Sequence, residues 1–272
     1  RLKMKQNSTT NLFYDSSSLI IEIPSTFIVE SESAKTGAFL FSYETSLFLL
    51  NYPFKQIYIV TDSTVEKVSN FCISNNILSK YEIIKLSDIA NLSKENKRLI
   101  YFSTEMSCLP FLKYRNHFNL NVPVFACFHS LALKPHYYLL KSFFNELNTL
   151  DSVIVASDQS KQAILNFLET QKLGLKFTIK KIPYGINTKI FKPCTQKQKK
   201  ELRKKHRLPE DAIIWLFLAR LDPFTKGNIL SFCNTLSNLL KINKNFHILI
   251  VGDNVFKPYT EKIQTYFFNN HP

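Results

Sequence analysis

The sequence predicts an α/β protein with two domains, each a doubly wound parallel sheet, the second of them incomplete within the 272 residues. Short apolar runs of strand length alternate along the chain with amphipathic runs of helix length. This alternation is typical of a parallel sheet covered by helices on both faces. It stops at a basic segment and restarts near residue 212. Only about two strand–helix units follow the restart, too few to complete such a sheet, so we expect the sequence to be a fragment.

The first part of the chain is regular enough to place each element. Residues 35–50 bring Phe39, Tyr43 and Leu47 onto one face of a helix. Ser157 is predicted to cap the helix that follows it, because its hydroxyl can accept a hydrogen bond from a backbone amide of the first turn. Strands are predicted at residues 19–23, 56–60, 98–102, 122–128, 152–156 and 176–182, and helices at residues 35–50, 64–77, 135–147 and 158–171.

The predicted domain limits follow from a change of composition after residue 191. Residues 1–192 form the first domain, residues 193–211 a basic linker with a helix, and residues 212–272 the start of the second domain. The basic run is best explained as a solvent-exposed helix that follows an interdomain linker. In the second domain, strands are predicted at residues 212–218 and 246–251, with a helix ending near residue 240 between them.

Composition and motifs exclude several classes of protein. The formal net charge of +14 favours anionic partners such as nucleotides, phospholipid headgroups or nucleic acid, although a lysine-rich composition alone also explains it. Nucleic acid is not expected as a partner, because no recognised nucleic-acid motif accompanies the charge. The five cysteines are scattered without a CxxC pair, which argues against disulfides or a zinc site and favours a cytoplasmic location. No HExxH, P-loop or GxGxxG pattern is present.

The loop after the predicted strand at 212–218 carries the clearest chemical signal. Arg220 and Lys226 lie in this loop, and Gly227 precedes a predicted helix. Arginine offers a planar set of donors that suits phosphate, lysine adds a mobile charge, and a helix start offers free backbone amides. Together they predict a clamp for a diphosphate. The alternative is an exposed loop with two ordinary cations.

Four segments follow one another in a recognisable order: residues 151–157 with Lys161 on the next helix, residues 182–187 followed by Phe191, residues 217–227, and residues 246–252. In this order they resemble glycosyltransferase family 4. The resemblance implies a GT-B fold, which consists of two Rossmann-like domains. It also implies a nucleotide-sugar donor and transfer of the sugar with retention of configuration.

The resemblance assigns roles to particular residues. Arg220 and Lys226 would hold the donor diphosphate and stabilise the charge that grows on it as the glycosidic bond breaks. His129, at the end of a predicted strand, would face the donor sugar and completes the set of candidate catalytic residues; a purely structural histidine is the alternative. The candidate donor-binding residues are Gly37, Gly185, Gly227 and Gly252. For Gly37, a helix-start glycine without a ligand is the alternative.

Cofactor and partners follow from the same resemblance. Family members work without a bound metal, and the sequence has no Asp-x-Asp pair, so no metal or cofactor is expected besides the nucleotide-sugar co-substrate. The first domain would bind the acceptor. The basic surface favours a cell-envelope glycan or a lipid-linked glycan as that acceptor, with peripheral contact at the inner face of a membrane.

Three positions depart from the family pattern. Ala219 replaces a glycine, Tyr184 an asparagine and Asn187 an aspartate. Two glutamates of the family belong further along the second domain than this chain reaches, so the 272-residue chain alone is expected to be inactive. A degenerate, non-catalytic relative that binds a nucleotide or a partner protein is therefore the alternative function.

Overall fold

The structure is a computed structural model of the chain. It divides into two compact units, one ending at Gly185 and the other beginning at Ile186. Each unit has its own sheet and its own core. The residues that the structure describes are 17–28, 37–95, 98–104, 106–129, 131, 137–186, 188–189, 191–224, 228–243, 245–252 and 257–270.

The first unit is built on a parallel sheet of seven strands. In chain order the strands are β1 (Ser18–Glu22), β2 (Gln56–Val60), β3 (Tyr81–Ile84), β4 (Leu99–Thr104), β5 (Val124–Cys127), β6 (Ser152–Val155) and β7 (Thr178–Lys181). Their order across the sheet is β3-β2-β1-β4-β5-β6-β7, and every neighbouring pair is parallel. The winding direction therefore reverses between the neighbouring strands β1 and β4. The carboxyl ends of these two strands form the topological switch point of the sheet.

Helices connect the strands and cover both faces of this sheet. Thr64 and Ser157 cap two of them, each accepting a hydrogen bond from a first-turn amide, that of Lys67 at 3.4 Å and that of Ser160 at 3.1 Å. The cap at Ser157 confirms the prediction. The described helices of this unit are α1 (Gly37–Leu50), α2 (Val65–Ser74), α3 (Ile89–Glu95), α4 (Leu109–His117), α5 (Tyr137–Glu146) and α6 (Asp158–Thr170).

The side chains of β1 alternate between two hydrophobic cores, one on each face of the sheet. Ile20 belongs to one core, with Phe111 of α4 and Phe143 of α5. Leu19 and Ile21 belong to the other core, which helices α1 and α2 cover. All five of these side chains are almost fully buried. A strand buried on both faces needs a continuous apolar run, which is why the strands were visible in the sequence.

A buried ion pair ties α4 to the amino end of β6. Both nitrogens at the tip of Arg115 donate to Asp151, at 2.5 and 3.0 Å, and both side chains are about 1% exposed. The Asp151 carboxylate also accepts from the backbone amides of Val124 and Asn148, each at 2.8 Å. The carboxylate is therefore satisfied on all sides. Because it lies at the amino edge of the sheet, away from the strand ends that bind ligands, we assign this pair a structural role.

The second unit contains a parallel pair of strands and its own small core. Its described elements are α7 (Gln196–Lys205), β8 (Ile213–Leu218), α8 (Cys233–Ile242), β9 (Phe246–Val251) and α9 (Lys257–Asn270). Ile213 pairs with Phe246, and the register continues to Leu218 opposite Val251. Among the described helices of both units, none is long and apolar enough to cross a lipid bilayer.

The predicted elements are present, most with ends within a few residues of the predicted ones. The strands predicted at 56–60 and 246–251 have the observed limits of β2 and β9. Strand β3 and helices α3 and α4 were not predicted, and α9, the helix of the second strand–helix unit, was expected without limits. Strand β3 lies at the edge of the sheet and carries the charged residue Glu82, so it lacks the unbroken apolar run of a central strand.

Candidate functional site

The carboxyl edge of the first unit's sheet is the expected location of a binding site. His129 lies at this edge, two positions after the end of β5. Its imidazole ring stacks on Tyr184, with ring centroids 5.4 Å apart and an interplanar angle of 24°. Phe41 of α1 contacts both rings, with centroid separations of 5.7 Å to His129 and 5.0 Å to Tyr184. These three rings form a compact aromatic cluster.

The hydroxyl of Tyr184 also contacts the backbone of the segment that follows β5. It donates to the backbone carbonyl of His129 at 2.6 Å and lies 3.3 Å from that of Phe128. Tyr184 therefore connects the segment after β7 to the segment after β5 through both its ring and its hydroxyl. An asparagine at this position could not stack in this way. This departure from the family pattern thus has a clear structural consequence.

The aromatic cluster brings together three of the predicted site segments. Gly37 is the first residue of α1, one turn before Phe41, and Gly185 directly follows Tyr184. Gly185 is exposed, and a Cβ atom added to it would meet nothing within 4 Å. Packing of the described residues therefore does not require a glycine at this position. Contact of Gly37, Gly185 and His129 with a donor stays a prediction.

A second polar group lies at the same edge and was not predicted from the sequence. Glu22, the last residue of β1, accepts a hydrogen bond from the hydroxyl of Tyr101 at 2.5 Å. Its other carboxyl oxygen accepts from Ser107 and, at 3.3 Å, from Ser103. The two serine hydroxyls are themselves 2.7 Å apart. The only signal in the sequence is a charged residue that ends an apolar strand.

The surroundings of Glu22 alter its acid–base behaviour. Burial raises the pKa of the Glu22 carboxyl above its ordinary value of 4.5, although the hydrogen bonds from Ser107, Tyr101 and Ser103 act in the opposite direction. Burial also raises the pKa of Tyr101 well above its ordinary value, and the nearby Glu22 adds to this effect. The half-buried carboxyl and the buried phenol are therefore joined by one short hydrogen bond.

In the second unit, Arg220 occupies the carboxyl end of β8, as predicted. The loop is held by its neighbours: Leu221 is buried in the core of the unit, and the carboxylate of Asp222 accepts from the backbone amide of Phe224 at 2.9 Å. The half-buried Arg220 side chain makes no hydrogen bond or ion pair with any residue that the structure describes. Binding of a ligand by this guanidinium stays a prediction. Lys226 and Gly227 lie outside the described residues.

Gly252 has a packing reason to be a glycine. It follows β9, where the chain passes close to the end of β8, and a Cβ atom here would lie 1.7 Å from the carbonyl oxygen of Ala219. The Ala219 amide also donates to the carbonyl of Val251 at 3.1 Å, so the two backbones are held at this distance. Close approach of the strand ends explains Gly252. Contact of Gly252 with a donor stays a prediction.

Helix α7 carries the basic run. It buries none of its residues, and Lys200 pairs with Glu210. One guanidinium nitrogen of Arg203 lies 2.7 to 2.9 Å from the carbonyl oxygens of Pro209, Glu210 and Ala212, so this arginine holds the connection to β8. The exposed helix matches the prediction of a solvated basic segment.

A cavity in the described part of the second unit does not match the predicted donor site. It has a volume of about 890 Å³ and lies along β9 and α9, lined by apolar side chains such as Ile248, Ile250 and Phe267. Among the described residues that line it, none is a lysine or arginine that could balance the charge of a diphosphate. We therefore place the candidate donor site at Arg220 rather than in this cavity.

Comparison with known proteins establishes the fold. No protein-family model and no curated sequence matches the chain. The crystal structure of Anabaena Alr3699/HepE in complex with UDP is similar, with a TM-score of 0.63, 12% identity, and coverage of 93% of this chain and 66% of that one. A UDP-forming α,α-trehalose-phosphate synthase from Burkholderia xenovorans gives a TM-score of 0.50 and 12% identity, with 94% and 69% covered. The chain thus spans about two thirds of their length, which fits an incomplete second domain, and it has the GT-B fold.

Proposed function

We propose that the protein is a glycosyltransferase that takes a sugar from a nucleotide-sugar donor, with Arg220 binding the donor diphosphate. The position of Arg220 carries this proposal. Its guanidinium lies at the carboxyl end of the first strand of the second unit and has no partner among the described residues. The GT-B fold and the similarity to a UDP complex support the same interpretation.

The proposed chemistry is electrostatic stabilisation of a leaving group. As the bond between sugar and diphosphate breaks, negative charge grows on the diphosphate oxygens, and a fixed guanidinium stabilises that charge without reorganisation. In this proposal Lys226 and the backbone around Gly227 assist Arg220, Gly252 lies close to the donor, and no metal takes part. Transfer with retention of configuration is part of the proposal, as it is in the family that the sequence resembles.

The first unit would supply the acceptor side and His129. In this proposal His129 faces the transferred sugar, and Gly37 and Gly185 let the chain approach the donor closely. The acceptor is a cell-envelope or lipid-linked glycan, reached by a cytoplasmic protein that contacts the membrane peripherally through its basic surface. Binding to anionic vesicles that falls as salt rises would support this contact, and binding that is unchanged by salt would contradict it.

Thermal unfolding in the presence of UDP tests the donor proposal. UDP is the first probe because one similar structure is a complex with UDP and the other is that of a UDP-forming synthase. We expect UDP to raise the melting temperature of the wild-type chain, Arg220→Ala to lose this increase, and Arg220→Lys to keep part of it. Lys241→Ala, at an exposed cation in the last turn of α8, is the matched control and should behave as wild type. An equal increase in wild type and Arg220→Ala would contradict the proposal.

One observation favours a second candidate, a GT-B protein that binds a nucleotide without transferring a sugar. Tyr184 stacks directly on His129, so its ring fills space beside the candidate catalytic imidazole. Release of UDP from UDP-sugars by the protein with its complete second domain would support the enzyme. If the protein binds the nucleotide but releases no UDP from UDP-sugars, and Tyr184→Asn also releases none, the non-catalytic candidate is supported.

A further inference from the structure

The site of Glu22 lies where the fold itself favours ligand binding. Glu22 ends β1, and Ser103 lies on the neighbouring strand β4. The strands β1 and β4 flank the switch point of the sheet, where crossover connections depart in opposite directions and leave a crevice. Glu22 therefore lies at the position in the sheet where doubly wound folds bind their ligands.

The neighbours of Glu22 form a layered arrangement. Tyr101 and Ser103 are buried, whereas Ser107, in the turn before α4, is exposed. The backbone amide of Cys108 donates to the hydroxyl of Ser103 at 3.1 Å and fixes it further. The buried partners thus hold the carboxyl group from below. Ser107 covers it on the solvent side.

The outer partner can be replaced by a ligand. The hydroxyl of Ser107 lies 3.0 Å from the carbonyl oxygen of Thr104, so it has a second acceptor besides Glu22. If a ligand hydroxyl donates to the outer oxygen of Glu22, Ser107 can donate to Thr104 and still accept a hydrogen bond from the ligand. No buried polar group is then left unsatisfied, so the exchange has little energetic penalty.

The chemistry of the group selects the kind of ligand. An anion would meet an acidic side chain at close range, which disfavours it. A metal cation would compete with three hydroxyl donors that already point at the two carboxyl oxygens. A neutral molecule with hydroxyl groups fits, because each hydroxyl both donates and accepts.

We propose that Glu22 and Ser107 form a binding site for a hydroxyl group of a neutral sugar, as part of the acceptor. This assignment of the acceptor to a sugar rests on the proposed function, since it names the side of the reaction that the first unit serves. Glu22 accepts from the sugar hydroxyl, and Ser107 donates to it or accepts from it. Tyr101 and Ser103 position the carboxyl.

Saturation-transfer NMR with methyl glycosides tests this site on the 272-residue chain. The probes are methyl α-glucoside, α-galactoside and α-mannoside. We expect at least one of them to bind. Glu22→Leu keeps a side chain of similar volume but removes both carboxyl oxygens, and it should lower the affinity for that glycoside by at least about tenfold. Glu169→Leu, at an exposed position on α6, is the control and should bind as wild type. Binding by none of the probes, or equal binding by wild type and Glu22→Leu, would overturn the proposal.

A second variant decides the matter if Glu22→Leu does not fold. Ser107→Ala alters an exposed side chain, and we expect it to weaken the glycoside by about two- to tenfold, the effect of one neutral hydrogen bond. Circular dichroism establishes folding for each variant. If folded Ser107→Ala protein has the same affinity for the glycoside as wild type, and the same saturation-transfer signal from the bound glycoside, the site is contradicted.

The same samples separate this proposal from the donor proposal. Arg220→Ala should lose UDP binding and keep glycoside binding. Glu22→Leu should lose glycoside binding and keep UDP binding. If the glycoside binds through Glu22 while UDP does not bind at all, the donor proposal fails and the sugar site stands. If UDP binds through Arg220 and Glu22→Leu has no effect on any glycoside, the sugar site fails alone.

Discussion

Breaking the buried pair between Arg115 and Asp151 should destabilise the first unit strongly. The pair is bidentate and about 1% exposed, so removing Asp151 leaves a buried guanidinium without its carboxylate partner. Removing one partner of such a pair typically costs about 3–5 kcal/mol. In Asp151→Asn, the new amide also places a donor among the amides of Val124 and Asn148, which both donate to the native carboxylate.

Urea unfolding followed by circular dichroism measures this loss as a free energy, and thermal unfolding of the same variant measures it as a change of melting temperature. For a unit of this size, about 1 kcal/mol corresponds to roughly 2–4 °C, so we expect the melting temperature to fall by about 6–20 °C. The double variant Arg115→Met, Asp151→Asn should lose less than the sum of the two single variants, because each single variant leaves one unpaired buried charge and the double variant leaves none. A loss below about 1 kcal/mol in Asp151→Asn, as expected for a surface pair, would refute this reasoning.

Three further predictions concern single positions. Gly252→Ala should destabilise the second unit by about 1–3 kcal/mol in urea unfolding, because its Cβ would overlap a backbone oxygen, whereas Gly185→Ala should be nearly neutral. The pKa of Glu22 is raised on folding, so its stabilising effect is complete below pH 4.5 and is lost as the pH rises through the folded pKa; the unfolding free energy of wild type relative to Glu22→Gln should therefore decline above pH 4.5. A difference that does not change with pH would contradict this. Tyr184→Phe should keep the ring stack but lose the bond to the carbonyl of His129, lowering stability by about 0.5–1.5 kcal/mol, while Tyr184→Ala should lose more.

Much of the fold could be predicted because its central strands are buried on both faces. The apolar run at residues 19–21 marks β1, and the apolar run at residues 248–251 marks β9. The edge strand β3 could not be found in this way, because Glu82 interrupts it. Helix α4 was missed because apolar and polar side chains are spread around its axis rather than along one face.

The candidate site was predictable only where a local motif carries it. Arg220 follows directly from its place after an apolar strand, and the structure puts it at the end of β8. The contact between His129 and Tyr184 joins residues 55 positions apart, and nothing in either local sequence indicates it. The same holds for Glu22 and Ser107, 85 positions apart, because parallel strands bring distant segments to one edge.

The central claim, that Arg220 binds a diphosphate, is tested most directly by comparing uridine, UMP and UDP in calorimetric titrations. In the wild-type protein, we expect the second phosphate to tighten binding by about 1.5–3 kcal/mol relative to UMP, the usual range for a hydrogen bond to a charged group. In Arg220→Ala this gain should vanish while any affinity for uridine stays the same. An undiminished gain from UMP to UDP in Arg220→Ala would contradict the account.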